Sequence, residues 1–93
     1  MKKAYYIPVE GEPNIIAPQN GEDFSLEELQ KAVDGYIEIV RLMNDLILVV
    51  NDEGKFTKPM NVIATFIAHT HKAIAANDYI AGDVVVCPSE MVK

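Results

Sequence analysis

The feature that most constrains the fold is an unbroken apolar run, Leu46–Val50, in the middle of the chain. A strand with one face in water alternates apolar and polar residues, whereas this run contains no polar position. Such a pattern is typical of a central strand that is covered on both faces of its sheet. We therefore expect the core to be built around a sheet that has this run near its centre.

Short turns join the extended segments in pairs, and this arrangement predicts a mostly antiparallel sheet. Gly11 and Pro13 provide the first turn, and Asn44 and Asp45 provide the second. A change of hydrophobic phase at Ile39-Val40 indicates either a bulge or burial on both faces. The segments predicted as strands are 4–9, 14–17, 36–42, 46–51, a short 55–57, and 79–87 with an interruption at Gly82-Asp83.

The first predicted helix runs from Leu26 to about Asp34. Ser25 and Glu28 have the spacing of a capping box, in which each side chain bonds to the other residue's backbone N–H. Gly35 then lies where a left-handed residue commonly ends a helix. Leu26–Asp34 is therefore the clearest local signal in the sequence.

The second predicted helix runs from Asn61, a suitable N-cap, to about Ala76. Its large apolar residues fall on one stripe, which we expect to face the core. The stripe consists of Val62, Ile63, Phe66, Ile67, Thr70 and Ile74, and it leaves Asn61, Thr65, Ala68 and Lys72 on the opposite, solvent-facing side. Gly54, in the turn before this helix, is expected to need a positive φ.

These elements predict a single small α+β domain over residues 1–93, with a mostly antiparallel sheet of five or six strands and two helices on one face. Two helices cover only one side of such a sheet. The other side of 46–50 and 84–87 would then expose an apolar patch, which soluble proteins seldom tolerate. We therefore expect a homo-oligomer, a dimer or higher, that covers this second side.

Composition narrows the partners and the compartment. Eight Lys and Arg against fourteen Asp and Glu give a net charge of −6, and the basic residues are scattered. Nucleic-acid binding relies on clustered basic residues, so neither a nucleic-acid partner nor a membrane-spanning segment is expected. The single cysteine, Cys87, forms no intramolecular disulfide, which favours a cytoplasmic protein.

No motif predicts catalysis. His69 and His71 are two residues apart, so on a helix their rings diverge and do not share a metal ion. Ser25 is explained by its cap, and nothing marks Cys87 as a reactive thiol. We expect no enzyme activity, no catalytic residue, no metal site and no cofactor.

One region favours ligand binding. Lys55 precedes the second helix, where backbone N–H groups and the helix dipole attract anions. Asn61, Thr65 and His69 follow on the face expected to be polar. These residues predict a site for a small anionic, nucleotide-like ligand between subunits. An open alternative is an inhibitor or adaptor that binds a host protein through its acidic surface, and a concave pocket distinguishes the first hypothesis from the second.

Four segments carry a family resemblance, and they are Tyr5–Val9, Gly35–Val40, Val50–Lys55 and Ile80–Val84. Their order and spacing over about residues 4–87 resemble a small uncharacterised domain family of bacteriophage, prophage and plasmid genomes. In that family a helix starts near an Asn that is followed by an Ala three residues later, and Asn61 and Ala64 match this pattern. The chain departs from the family at Lys58-Pro59-Met60, where a more proline-rich turn is expected. The resemblance implies a phage-type protein in a host cytoplasm, and by analogy a counter-defence protein that sequesters a signalling molecule.

Overall fold

The computed structural model describes residues 2–92. Five strands, two main helices and two short helical turns make up this part of the chain. In chain order they are β1 (Ala4–Ile7), β2 (Asn14–Ile16), α1 (Leu26–Val33), β3 (Ile37–Arg41), β4 (Leu46–Asn51), α2 (Gly54–Thr57), α3 (Val62–Thr70), β5 (Val84–Pro88) and a 3-10 turn (Ser89–Met91). The α+β class and the antiparallel sheet predicted from the sequence are confirmed.

The sheet has the order β2-β1-β5-β4-β3, and every neighbouring pair is antiparallel. Two hairpins form its edges, and β5 fills the gap between them by pairing with β1 on one side and β4 on the other. The run predicted to be central is β4, which lies inside the sheet. The β3–β4 register is continuous from Ile37↔Asn51 to Arg41↔Ile47, so no bulge occurs, and β3 is instead half-buried on both faces.

The two main helices lie on opposite faces of the sheet, and the expectation that both cover one face is wrong. Side chains alternate along β4, so that Ile47 and Val49 pack in one cluster with Leu29 of α1. Leu48 and Val50 pack in a second cluster with Ala64 and Ala68 of α3. Because one chain covers both faces of β4 and β5, these strands leave no apolar face that a second copy must cover.

Helix α3 also presents the opposite face to the one predicted. Asn61, Thr65 and Ala68, which were expected to face solvent, are buried together with Ala64 against the sheet and the segment 78–82, and of that set only Lys72 is exposed. Of the predicted core stripe, Ile67 and Ile74 contribute to the second cluster, whereas Val62, Ile63, Phe66 and Thr70 are exposed. Small side chains allow the helix backbone to approach the sheet closely, and the larger ones are left outside.

Several boundaries differ from their predictions for local reasons. Residues 55–57 form the helical turn α2 and not a strand, and Gly54 has no positive φ. Helix α3 ends at Thr70 because Lys72 adopts a left-handed φ of 54°. The left-handed residue after α1 is Asp34, with φ 61°, which places it one position before Gly35. The strand expected over 79–87 begins only at Val84.

Candidate functional site

A cavity of about 420 Å³ opens on the sheet face that carries α3. Its volume falls within the range of small-molecule sites in proteins. Strands β3 and β4 form the floor, the turn α2 forms one wall, and the chain between α3 and β5 forms the other. Its lining includes Glu38, Val40, Val50, Lys55, Phe56, Asp78 and Tyr79.

Lys55 of the turn α2 is one of the charged residues that line the cavity. Its ammonium forms an ion pair with the carboxylate of Asp78 and lies 5.4 Å from the centre of the Tyr79 ring, within cation–π distance. The hydrogen bond to Asp78 raises the pKa of Lys55, and the same bond lowers the pKa of Asp78. Lys55 is therefore held charged at the rim, already paired with one carboxylate.

Gly54 explains how α2 comes close enough to form that wall. A Cβ at Gly54 would lie 2.7 Å from the backbone oxygen of Ala81, closer than real Cβ contacts. Glycine is required here for a close approach of two backbone segments. This approach brings Lys55 against Asp78 and Tyr79.

Asn61 is buried and fully used by the protein backbone. Its Oδ1 accepts from the N–H of Ala64 at 3.0 Å, which caps α3. Its Nδ2 donates to the carbonyls of Ile7 at 3.0 Å and Gly82 at 2.9 Å. Asn61 therefore joins β1, α3 and the approach to β5, and its side chain offers no free donor to a ligand.

Thr65 and His69 fasten the segment that carries Asp78. The Thr65 hydroxyl accepts from the N–H of Ile80 at 2.9 Å and donates to the Ile80 carbonyl at 3.2 Å. The Nε2 of His69 lies 2.9 Å from the carbonyl of Asp78. The four residues predicted as a ligand site thus meet around segment 78–80, but only Lys55 lines the cavity, while the other three hold its wall in place.

The comparison with protein families gives one match. The model of a domain of unknown function, DUF3846, matches residues 1–91 of the chain. The chain belongs to the DUF3846 family. No curated protein and no solved structure is detectably similar to it. Asn61 and Ala64 have a physical role in this DUF3846 domain, because the Asn61 side chain accepts a hydrogen bond from the N–H of Ala64 and the Ala64 methyl is fully buried.

The cavity of this DUF3846 domain contains residues that the sequence reading missed. Glu38 lies opposite Val50 in the β3–β4 register, on the same face as the cavity. Phe56 and Tyr79 add two aromatic side chains. β3 and the segment near Tyr79 meet at the cavity because the sheet topology inserts β5 between the two hairpins. No spacing in the sequence signals that proximity.

The remaining nucleophilic and metal-ligating side chains lie apart from one another. Cys87 is buried beneath α1, and burial raises the pKa of its thiol to about 11. His71 accepts from the N–H of Met43 at 3.0 Å, away from the contact that His69 makes. Within residues 2–92, no group of three or more His, Cys, Asp or Glu side chains could hold a metal ion. In the same span, no helix has both the length and the apolar character needed to cross a bilayer.

Proposed function

We propose that this DUF3846 domain is a non-catalytic binding protein that holds a small molecule in the cavity beside Lys55. The observation that carries the proposal is the pairing of Lys55 with the Tyr79 ring at a concave site, with Phe56 at its edge. Ligand sites are concave and combine apolar side chains with polar groups that fix orientation. Val40 and Val50 provide the apolar floor that such a site needs.

The charges of the cavity favour a ligand with a single anionic group over a polyanion. Its lining contains three carboxylates, those of Glu38, Asp52 and Asp78, against the cations Arg41 and Lys55. A polyanion would meet net repulsion there, in addition to the overall charge of −6. A planar molecule with one anionic group fits better, because its ring can stack on an aromatic side chain while its anion competes with Asp78 for Lys55.

A nucleoside monophosphate has this chemistry, and it supplies the probe. Isothermal titration calorimetry with adenosine and uridine monophosphates should show tighter binding than the parent nucleosides or the triphosphates. Lys55→Ala should weaken binding about 10- to 100-fold, the scale of one charged hydrogen bond. Lys58→Ala is the matched control, since Lys58 is also ion-paired, with Asp34, but lies outside the cavity.

Two results would contradict the proposal. If none of these probes binds at about 1 mM, the limit of weak affinity, the nucleotide-like ligand is wrong. If Lys58→Ala or Glu27→Ala weakens binding as much as Lys55→Ala, the ligand lies elsewhere. Glu27 suits this comparison because it belongs to α1, on the other face of the sheet.

We further propose that such binding takes place in a host cytoplasm and that it sequesters a signalling molecule used in antiphage defence. The resemblance to phage and plasmid proteins motivates this role, and the lone buried thiol of Cys87 suits a reducing compartment. Native mass spectrometry of the protein purified from phage-challenged bacteria tests it. A retained small molecule that Lys55→Ala loses would support sequestration, and a preparation free of any ligand would count against it.

A further inference from the structure

Between Phe56 and Phe66 the chain exposes more large apolar surface than its fold requires. Phe56 of α2 is 87% exposed, and on α3 Phe66 is 71% and Val62 is 70% exposed. Met60 and Ile63 are 49% and 40% exposed. We call these five residues the α3 apolar surface.

The exposure follows from the way in which α3 is fastened. The cap made by Asn61 and the two Thr65 hydrogen bonds fix the rotation of the helix, so that Ala64 and Ala68 face the sheet. At 100° per residue, Val62, Ile63 and Phe66 then fall within one arc on the outer side. Rotating the helix to bury them would break the buried hydrogen bonds of Asn61.

The area is large for a protein of this size. With about 200 Å² for a fully exposed aromatic side chain, the five residues expose roughly 600 Å². The largest apolar patch on a typical monomer is about 300–600 Å² and is often functional. Two such surfaces, if completely buried, would remove about 1,200 Å² from water, which is the lower bound for a specific, stable interface.

The charge distribution favours contact between identical copies at this place. No Asp, Glu, Lys or Arg occurs between Pro59 and Thr70, although the whole chain carries a net charge of −6. Two copies of a chain with this net charge repel each other, whereas α3 adds no like-charge repulsion of its own. Apolar side chains are also complementary to the same side chains of a second copy.

We propose that the α3 apolar surface binds a second copy of this chain, in a two-fold dimer with the α3 helices antiparallel and Phe66 near the axis. A two-fold interface uses the same patch on both subunits and closes on itself, so it yields a dimer and not a filament. The interface is formed by α2 and α3 and leaves both hairpin edges of the sheet free.

Sedimentation equilibrium between about 1 and 100 µM tests the proposal, because these concentrations bracket micromolar dissociation. The wild-type protein should be dimeric, and Phe66→Glu should be monomeric. A buried aromatic anchor contributes at least about 30-fold to binding, and the symmetry removes two anchors at once, so the dissociation constant should rise about 1,000-fold. Leu26→Glu is the matched control, since Leu26 is 54% exposed on α1 and receives the same charge.

Disulfide trapping tests the geometry without weakening the interface by a charge. Phe66→Cys should cross-link two copies under mild oxidation, while Leu26→Cys should not, and the buried Cys87 should not interfere. A wild-type monomer at 100 µM would overturn the proposal and would assign the surface to a different protein. A Phe66→Glu protein that remains dimeric, or a Phe66→Cys protein that fails to cross-link, would also overturn it.

Discussion

Replacing Asn61 by Ala should cost this small protein a large part of its stability. The change removes the cap of α3, which contributes about 1 kcal/mol. It also removes the buried donor that serves the carbonyls of Ile7 and Gly82, and an unsatisfied buried group costs about 1–3 kcal/mol. Because two carbonyls lose their donor, we expect a loss of about 3–7 kcal/mol, compared with a total of about 5–14 kcal/mol for a chain of this length.

Two further substitutions at this position separate the contributions. Asn61→Ser should recover about 1 kcal/mol, because a serine hydroxyl caps the N–H of Ala64 but does not reach both carbonyls. Asn61→Asp keeps the cap but turns a carboxylate towards the oxygens of Ile7 and Gly82. That repulsion raises the folded-state pKa of the new carboxyl, so the loss of stability should be largest at neutral pH. It should shrink as the pH falls through that raised pKa, since the neutral carboxyl can donate one hydrogen bond.

Urea unfolding followed by far-ultraviolet circular dichroism, at one fixed protein concentration, gives the free energies. The control is Asn77→Ala, an exposed residue whose replacement should change stability by less than about 0.5 kcal/mol. A loss below about 1 kcal/mol for Asn61→Ala would refute the reasoning, because it would mean that the carbonyls find other partners. A variant that stays fully stable but loses ligand binding would restore Asn61 to a binding role.

Two other substitutions test close contacts elsewhere. Gly54→Ala should lower the free energy of unfolding by about 1–3 kcal/mol, because the new Cβ would lie 2.7 Å from the Ala81 oxygen. The midpoint of urea unfolding measures this loss. An unchanged midpoint would show that α2 can move away from Ala81. Burial and the hydrogen bond to Asp83 raise the pKa of Tyr6 to about 12, so the folded state keeps a proton that the unfolded chain loses near pH 10. Stability should therefore fall as the pH rises from 10 towards 12, and in Tyr6→Phe this part of the alkaline loss should be absent.

The parts of the fold that the sequence predicted are those set by local chemistry. The capping box of Ser25 and Glu28 is present, with both reciprocal hydrogen bonds, and α1 begins at Leu26 as expected. The Asn44-Asp45 turn forms because both residues adopt φ near 60°, which Asn and Asp tolerate. The apolar run of β4 is covered on both faces, as its lack of alternation indicated. Each of these signals lies within a few residues of the structure that it specifies.

The orientation of α3 could not be predicted in the same way. Most residues from Val62 to Ala68 are apolar, so the hydrophobic pattern does not single out one face. Polar side chains determine which face of α3 is buried: Asn61 donates to the carbonyl of Ile7, 54 residues earlier in the chain, and Thr65 forms hydrogen bonds with Ile80. Assigning Asn61 and Thr65 to solvent because they are polar was wrong, since a polar side chain that finds backbone partners can be buried.

The candidate site was predicted in part. Lys55 lines the cavity, and its proximity to Asp78 depends on Gly54 passing close to Ala81. The predicted reason for its importance, the N-terminus of a helix, does not apply, because the cap of α3 is buried under the strands. The wall around Tyr79 belongs to an irregular segment, and its position is decided by long-range hydrogen bonds that no periodicity encodes.

The cavity and the α3 apolar surface share Phe56, but each also contains a residue that the other lacks. The two proposals can therefore be tested separately. Phe56 lies at the cavity and also within the α3 apolar surface, whereas Lys55 lines only the cavity and Phe66 belongs only to the apolar surface. If the cavity and the dimer are independent, Phe66→Glu removes the dimer without changing ligand affinity, and Lys55→Ala does the reverse. If the second copy covers the cavity through Phe56, ligand binding and dimerisation must strengthen or weaken each other by the same factor, because binding free energies are reciprocal. Titrating the ligand at two protein concentrations, one on each side of the dimer dissociation constant, distinguishes these cases.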